Sequence, residues 1–167
     1  MKINTLKNMY LAELEELASA EEQLGKSLGR MAGKVSHPDL KNALLDQQES
    51  TKQQEARLIS ILRAHGADRV THTDQAMQAL VRETGKMLDM LKGDDLRDAG
   101  LIASIQRLKH YEIAAYGSAT SLAAQLGFDN DAKLLQESLD EEKDVDSVLT
   151  SIAEREVNPD AAATQPG

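Results

Sequence analysis

Residues 4–39 read NTLKNMYLAELEELASAEEQLGKSLGRMAGKVSHPD, and this stretch decides the predicted fold. Its apolar residues recur at the spacing of one helix face, at Leu14, Leu17, Leu24, Leu28 and Met31. Gly33 marks the end of this face. Ser36 then offers a candidate N-cap, followed by a first-turn proline and a capping-box-like aspartate at position 39. We therefore expect a long helix from about Asn4 to Gly33, a tight turn and a second helix.

Three more helices are predicted from turn signals further along the chain. Glycines that suit helix ends stand at positions 66, 93 and 127. They divide the remaining sequence into the second helix, at about 38–65, and three further helices at about 73–92, 94–126 and 129–156, with Asp94, Asp95 and Asp129 at two of the starts. Residues 1–157 are predicted to form one domain, and the small, polar tail at 158–167 is predicted to be disordered.

The lengths of the connections predict how these helices are arranged. The tight turns between the first and second helices, and between the fourth and fifth, require two antiparallel hairpins. About 28 residues lie between the hairpins and contain the short helix, so a long crossover lets the second and fourth helices run parallel. The predicted fold is all-α: a ferritin-like four-helix bundle with an additional short helix in the crossover.

Composition agrees with a small helical domain and narrows the function classes. The 167 residues are 41% hydrophobic but only 2% aromatic, so the core is expected to be aliphatic. A net charge of -9 argues against nucleic-acid binding. The sequence has no cysteine, no apolar run of membrane-spanning length and no signal-peptide pattern. We expect a cytoplasmic protein without a membrane or nucleic-acid partner.

Carboxylates interrupt three of the predicted apolar helix faces. The interruptions are Glu21 on the first helix, Glu112 on the fourth, and Glu142 with Asp146 on the fifth. A buried carboxylate is costly unless it is paired or binds a cation. We expect Glu21, Glu112 and Glu142 to converge inside the bundle, where they need a metal ion, protonation or a cation such as Lys109. The alternative is that these side chains reach solvent or surface cations.

The second helix does not complete such a site. Ferritin-like dimetal centres use a glutamate and a histidine three residues apart. The inner side of this helix instead carries Gln47, Gln48, Thr51, Gln54 and Glu55. We expect this polar stretch to face a site, water or another subunit, with Gln47 a candidate neighbour of the carboxylates.

Histidines and glycines give weaker signals. His37, His65 and His72 are expected to be exposed, whereas His110 lies two residues from Glu112 and is a candidate neighbour of a metal or a buried carboxylate. Glycines recur at positions 25, 29 and 33 of the first helix. They predict close helix approach within the bundle or across a dimer, or else a helix end at position 33 with two tolerated glycines.

Three motifs resemble those of the YciE/YciF family of bacterial ferritin-like proteins. They are SAEEQL at 19–24, LKHYEIAAYG at 108–117 and LDEEKDVDSVLT at 139–150. The resemblance covers the chain except its tail. It implies a ferritin-like fold, a homodimer and an association with stress responses, without an established activity. It also implies metal-ligand positions at Glu21, Glu112, Glu142 and Asp146, for iron or manganese.

The chain departs from the family pattern at positions that matter for a metal. The family's His-Leu-Glu-Glu-Thr run is Gln47-Gln48-Glu49-Ser50-Thr51 here, and a family glutamate is Lys109. Lys109 can neutralise a carboxylate in place of a metal. A tight dimetal centre is therefore not expected, although a single loosely held ion remains compatible with the sequence.

Three functions follow for comparison. The leading one is a dimeric stress-response protein with a degenerate or absent dimetal site and no established enzymatic activity. The alternative is a working di-iron or di-manganese protein that scavenges oxidants or binds iron. A DNA-coating ferritin relative is disfavoured by the acidic charge.

Overall fold

The computed structural model describes residues 3–67 and 72–164, and its helices follow the predicted order. They are α1 (Leu6–Ala32), α2 (Pro38–Ala64), α3 (Gln75–Met90), α4 (Asp94–Gln125) and α5 (Asp129–Ile152), followed by a π-helical turn (Ala153–Val157) and α6 (Asn158–Ala163). The described residues contain no strand. None of their helices is long and apolar enough to cross a membrane.

Contacts between the helices confirm the predicted bundle. α1 packs on α2 and α4 packs on α5, and the two hairpins meet through α1 with α4 and α2 with α5. Tyr10 near the start of α1 contacts His65 after α2 and Phe128 after α4. The C-terminal ends of α2 and α4 therefore lie at the same end of the bundle, so these helices are parallel. α3 lies in the crossover and packs on α1 and α4.

Glycines follow α2 and α4 as the sequence predicts, whereas α3 ends earlier than predicted, with Leu91 as its C-cap, and Gly93 is the N-cap of α4. Gly66, Gly93 and Gly127 all have positive φ angles, between 73° and 92°, which a glycine adopts without steric cost. The predicted N-cap of α2 is wrong. His37 caps this helix, and its ring accepts a hydrogen bond from the backbone N–H of Leu40 at 3.5 Å. The Ser36 N–H instead donates to the buried carboxylate of Asp98, which fixes the α1–α2 turn against α4.

The glycines of α1 allow close approach of α2. A Cβ atom at Gly29 would lie 2.9 Å from Nε2 of Gln48, and one at Gly25 would lie 3.2 Å from Cγ2 of Thr51. Gln48 uses this proximity to donate a hydrogen bond to the Gly25 carbonyl oxygen at 3.1 Å. Close approach within the bundle is therefore observed at Gly25 and Gly29, whereas Gly33 is the C-cap of α1.

The C-terminal segment differs from the predicted disorder. Residues 158–163 form α6, Ala161 is buried, and the Thr164 hydroxyl donates to Asp95 on α4. The five-residue π-helical turn precedes α6, and the buried Val157 lies within it. This segment packs on α4, and that tertiary contact is not visible in the composition of the tail. Residues 165–167 lie outside the described part.

Two apolar clusters form the core and lie at opposite ends of the bundle. The first contains Leu24, Leu28, Leu44, Leu108 and Leu149. The second contains Leu14, Leu17, Leu58, Ala119 and Leu139. Each of the four long helices contributes to both clusters. The residues between the two sets on each helix therefore lie at the middle of the bundle, and the buried ones include the polar residues Glu21, Gln47, Glu112 and Glu142.

Candidate functional site

A buried polar layer separates the two apolar clusters. Its members, none more than 2% exposed, are Glu21 on α1, Gln47, Thr51 and Gln54 on α2, Lys109, Glu112 and Tyr116 on α4, and Glu142 on α5. On each helix the layer residues lie between the core residues of the two clusters, for example between Leu44 and Leu58 on α2. The layer thus places three carboxylates, one ammonium group and three neutral polar side chains of α2 out of contact with solvent.

Lys109 lies between two of the three carboxylates. Its Nζ is 2.6 Å from Oε2 of Glu112, one turn along α4, and it donates a hydrogen bond to Oε2 of Glu142 on α5 at 2.5 Å. All three side chains are 0–1% exposed. Lys109 therefore joins α4 to α5 by a fully buried ion pair.

Glu21 is held from α4 through a different group. The Tyr116 hydroxyl donates a hydrogen bond to Oε1 of Glu21 at 2.6 Å. The other oxygen of Glu21 has no hydrogen-bond partner among the described protein atoms. The three carboxylates predicted to converge thus lie in one layer, compensated by a lysine and a tyrosine.

Burial and repulsion between carboxylates raise the pKa values of two of these residues, Glu21 and Glu112. Burial, followed by repulsion from Glu142, raises the pKa of Glu21 to about 8, although Lys109 and Tyr116 oppose the rise. Burial also raises the pKa of Glu112 well above its ordinary value, against the attraction of Lys109. Both residues are therefore biased toward the neutral acid near pH 7.

Burial and the neighbouring carboxylates shift the pKa of Lys109 in opposite directions. Burial by itself lowers the pKa of a lysine, but the carboxylates of Glu112, Glu142 and Glu21 outweigh it and raise the pKa of Lys109. Burial and the neighbouring Glu21 also raise the pKa of Tyr116. Lys109 is thus a permanent cation, and Tyr116 a permanent hydrogen-bond donor, at physiological pH.

The α2 side of the layer is less completely paired. Gln54 donates from Nε2 to Oε2 of Glu141 at 3.0 Å, but its Oε1 has no partner among the described protein atoms. The same holds for both amide atoms of Gln47 and for the Thr51 hydroxyl. Gln47, Thr51 and Gln54 of the polar stretch predicted on α2 face the interior and supply neutral oxygens rather than charges, whereas Gln48 and Glu55 are only partly buried.

Asp146 and His110 do not belong to the polar layer. Asp146 is partly exposed, accepts a hydrogen bond from Nε2 of Gln106 at 3.2 Å and lies 3.5 Å from Nε2 of His110. The His110 ring is largely exposed, with 67% of its side-chain surface accessible. Of the predicted site residues, Glu21, Glu112, Glu142 and Gln47 lie in the layer, and these two lie outside it.

Two other histidines are largely buried and contact carboxylates, so the prediction that they are merely exposed is wrong. Nε2 of His65 lies 2.7 Å from Oδ2 of Asp131, which also accepts a hydrogen bond from the buried Tyr10 hydroxyl at 3.0 Å. His37 lies 3.0 Å from Glu156 in the π-helical turn. The first contact connects the end of α2 to the start of α5, and the second connects the start of α2 to the turn that follows α5. His72 is about half exposed and pairs with Glu16.

The donor set of the layer does not fit a dimetal centre. Such a centre needs about four carboxylates together with imidazole ligands. The layer has three carboxylates and no histidine, and an ammonium group already contacts two of the three. Among residues 3–67 and 72–164, no group of three or more histidine and acidic side chains is arranged to hold a metal ion.

Comparisons with known proteins agree with this fold over almost the full chain. The family model described as Domain of unknown function (DUF892) matches residues 5–162. The chain belongs to this family. Protein YciF of Escherichia coli K12 is 35% identical over 162 residues, which cover 96% of this chain and 98% of YciF. The resemblance to the YciE/YciF proteins predicted from the three motifs is therefore confirmed.

Solved structures similar to this DUF892 protein include that of YciF and those of two other bacterial proteins. The crystal structure of the E. coli stress protein YciF matches with a TM-score of 0.88 and 34% identity, over 93% of this chain and 99% of YciF. YcfI of Rhodopseudomonas palustris, which carries a provisional assignment as a structural protein, matches with a TM-score of 0.88 and 29% identity, over 91% and 97% of the two chains. A Xanthomonas campestris protein shares the fold at 18% identity, with a TM-score of 0.78 over 97% and 100% of the chains.

Proposed function

We propose that this chain is a stress-associated structural protein whose bundle has no dimetal chemistry. Two kinds of relative support the proposal: YciF is a stress protein, and YcfI of R. palustris has a provisional structural assignment. The observation that carries it is the position of Lys109 among the carboxylates.

Lys109 supplies the positive charge that a metal would bring. A divalent ion bound to Glu112 and Glu142 would lie within a few ångströms of the ammonium group. Two unit charges 4 Å apart repel by about 4 kcal/mol at an effective dielectric constant of 20, and a divalent ion doubles this cost. The metal would therefore have to displace a side chain that is itself fully buried and paired.

Protonation of Glu21 and Glu112 removes the negative charge that Lys109 does not balance. With Glu21 and Glu112 biased toward their neutral acids, the layer reduces to the pair of Lys109 with Glu142, which has no net charge. The core is then stable without a metal. In this proposal the layer fixes the relative positions of the four helices, and the outer surface of the bundle performs the function.

The resemblance to the family also leads us to propose a cytoplasmic homodimer, without iron or manganese as cofactor. Light scattering on the full chain across a range of protein concentrations tests the dimer. A mass near twice 18.2 kDa is the expected result.

Metal analysis tests the functional proposal. The chain is produced in medium supplemented with iron and manganese, purified without chelator, dialysed and examined by elemental analysis and for peroxide consumption. We expect far less than one metal ion per chain and no catalysed consumption. Two retained ions, lost in Glu21→Ala and Glu112→Ala but kept in the exposed control Glu22→Ala, would instead establish the dimetal alternative.

A further inference from the structure

A groove between α1 and α3 opens the first apolar cluster to the surface. Its narrow part has a volume of about 170 Å³, and its walls include Met31, Val81 and Leu88. Met31 and Leu88 belong to the first cluster, and Val81 packs against it. The volume equals that of about six water molecules in the liquid, which suits a short aliphatic chain. A wider part of about 550 Å³ shares Lys34 and Leu88 with the narrow part and extends to Arg97 of α4.

Gly85 leaves space for an occupant on the α3 side of the groove. It lines the narrow part, and a Cβ atom at this position would meet no atom within 4 Å. Glycine is less favourable than any residue except proline inside a helix, so it is seldom retained there without a local cause. Close packing of α2 is the cause at Gly25 and Gly29 of α1, but no neighbour crowds Gly85. The missing side chain of Gly85 keeps the groove open instead.

The rim of the groove is basic, although the chain has a net charge of -9. Arg30, Lys34 and Arg97 line the groove, and Asp89 is the one carboxylate among the described residues that line it. Asp89 lies 3.6 Å from Lys34, and Arg97 pairs with Asp94. Arg30 forms no ion pair with another described residue. The rim therefore has a positive charge that an anion can balance.

The apolar floor and the basic rim together favour an anion with an aliphatic tail. An inorganic anion would bury no apolar surface in the groove, and a hydrocarbon would leave the cations of the rim unpaired. A carboxylate can accept two hydrogen bonds from one guanidinium group, such as that of Arg30. Arg30 also lies in the last turn of α1, where a cation interacts favourably with the helix dipole. The dipole accounts for that one cation, but not for Gly85 or for the apolar floor.

We propose that the α1–α3 groove binds a carboxylate with a short aliphatic tail, of the size of octanoate. The tail lies in the narrow part, in the space that Gly85 leaves open, and the carboxylate contacts Arg30 and Lys34. The site shares no residue with the polar layer. Metal content and carboxylate binding are measured separately, so this proposal and the structural role proposed above can fail independently.

Calorimetric titration of the full chain with octanoate tests the proposal. We expect saturable binding of one molecule per chain, weakened by added salt because the head group is held by ionic contacts. Gly85→Leu places a side chain in the narrow part and should weaken binding at least about tenfold, which corresponds to about 1.4 kcal/mol. Because leucine favours a helix more than glycine does, this variant should keep or raise the thermal unfolding midpoint. A loss of binding would then not result from unfolding.

Matched variants distinguish the groove from the rest of the surface. Gly117→Leu alters a glycine of α4 that also has open space around it but lies outside the groove, and it should leave octanoate binding unchanged. Arg30→Gln and Lys34→Gln should each weaken binding about threefold, because each removes one exposed ionic contact. Lys26→Gln, one turn from Arg30 and outside the groove, should have no effect on binding.

Three results would overturn the proposal. The first is the absence of saturable octanoate binding, or equal weakening by Gly85→Leu and Gly117→Leu. The second is equally tight binding of 1-octanol, which lacks the charge and would make the groove a purely apolar site. The third is sedimentation of the chain with vesicles of anionic phospholipid, reduced in Lys34→Gln, without octanoate binding by the free chain. That result would make the basic rim a membrane contact.

Discussion

The two sides of the polar layer handle burial differently. On α4 and α5, charged groups lie 2.5–2.6 Å apart, and Tyr116 of α4 donates a hydrogen bond to Glu21. Glu112 is balanced by this ion contact alone, because neither of its oxygens has a hydrogen-bond partner among the described protein atoms. On α2, Gln47 and Thr51 have polar atoms without protein partners. Both sides are equally inaccessible to solvent.

The difference follows from the cost of leaving each kind of group unpaired. An isolated buried charge costs far more than an unpaired amide or hydroxyl, so the charged groups must find partners within the bundle. The neutral groups of α2 can remain without hydrogen-bond partners at a smaller cost in free energy. We therefore expect substitutions on α4 to have large effects and substitutions on α2 to have small ones.

The largest expected effect is that of Lys109→Ala. Removing the ammonium leaves Glu112 and Glu142 without their cation, so the free energy of unfolding should fall by about 3–5 kcal/mol. Chemical denaturation at pH 7 measures this. Lys143→Ala, an exposed lysine beside Glu142, is the matched control and should change stability by less than about 0.5 kcal/mol. Equal effects of the two substitutions would show that the buried pair has no special role.

The next effect is a dependence on pH that arises from Glu21. Its neighbours across the layer are Tyr116, Lys109, Glu142 and Glu55. Folding raises its pKa from the ordinary value to about 8, so the folded state binds more protons than the unfolded state between about pH 4.5 and 8. The contribution of Glu21 to the free energy of unfolding is fully present below about pH 4.5 and is lost as the pH rises to about 8.

Glu21→Gln should remove this dependence. Compared with the wild type, its stability should improve by up to about 1.4 kcal/mol per pH unit as the pH increases from 5 to 8. Denaturation at several pH values measures the difference. The free energy of unfolding of Glu22→Gln, a substitution at the exposed neighbour, should change with pH in parallel with that of the wild type. A Glu21→Gln curve that is also parallel would mean that the pKa of Glu21 is not raised by folding.

Tyr116→Phe should have an intermediate effect. The substitution keeps the ring but leaves both oxygens of Glu21 unpaired, which costs about 1–3 kcal/mol in the free energy of unfolding. The loss should be much smaller when Glu21→Gln is already present, because the two groups act together. Additive losses in the double variant would contradict a direct interaction.

The smallest expected effect is that of Gln47→Leu. Replacing an unpaired buried amide by an aliphatic side chain of similar size should leave stability within about 1 kcal/mol or raise it. Gln48→Leu is the matched contrast, because it removes the hydrogen bond to the Gly25 carbonyl oxygen and should be destabilising by about 1 kcal/mol. A larger loss for Gln47→Leu than for Gln48→Leu would show that the Gln47 amide has a partner in the folded protein.

Much of the fold could be predicted because its signals are local. Glycines at the ends of α2 and α4, together with the spacing of the leucines on α1, predict helices and their order without knowledge of any contact. The same periodicity predicts that Glu21, Glu112 and Glu142 point inward. Each of these inferences needs only one helix at a time.

The features that could not be predicted from the sequence depend on how one helix is rotated relative to another. Asp146 is one turn from Glu142, yet α5 turns it toward Gln106 of α4 and away from the layer. The hydrogen bond between Tyr116 and Glu21 and the pairing of His65 with Asp131 join residues about 95 and 66 positions apart. Helical periodicity does not specify such pairs, because it does not determine which faces meet.

The most direct test of the central claim, that Lys109 replaces a metal ion, is the thermal unfolding midpoint of two proteins with and without Mn²⁺. A ligand that binds only the folded state raises the midpoint. If Lys109 replaces the metal, Mn²⁺ should leave the midpoint of the wild type unchanged. Lys109→Ala should have a lowered midpoint in chelator, and Mn²⁺ should partly restore it. A rise for the wild type that is lost in Glu112→Gln, with no restoration of Lys109→Ala, would contradict the account.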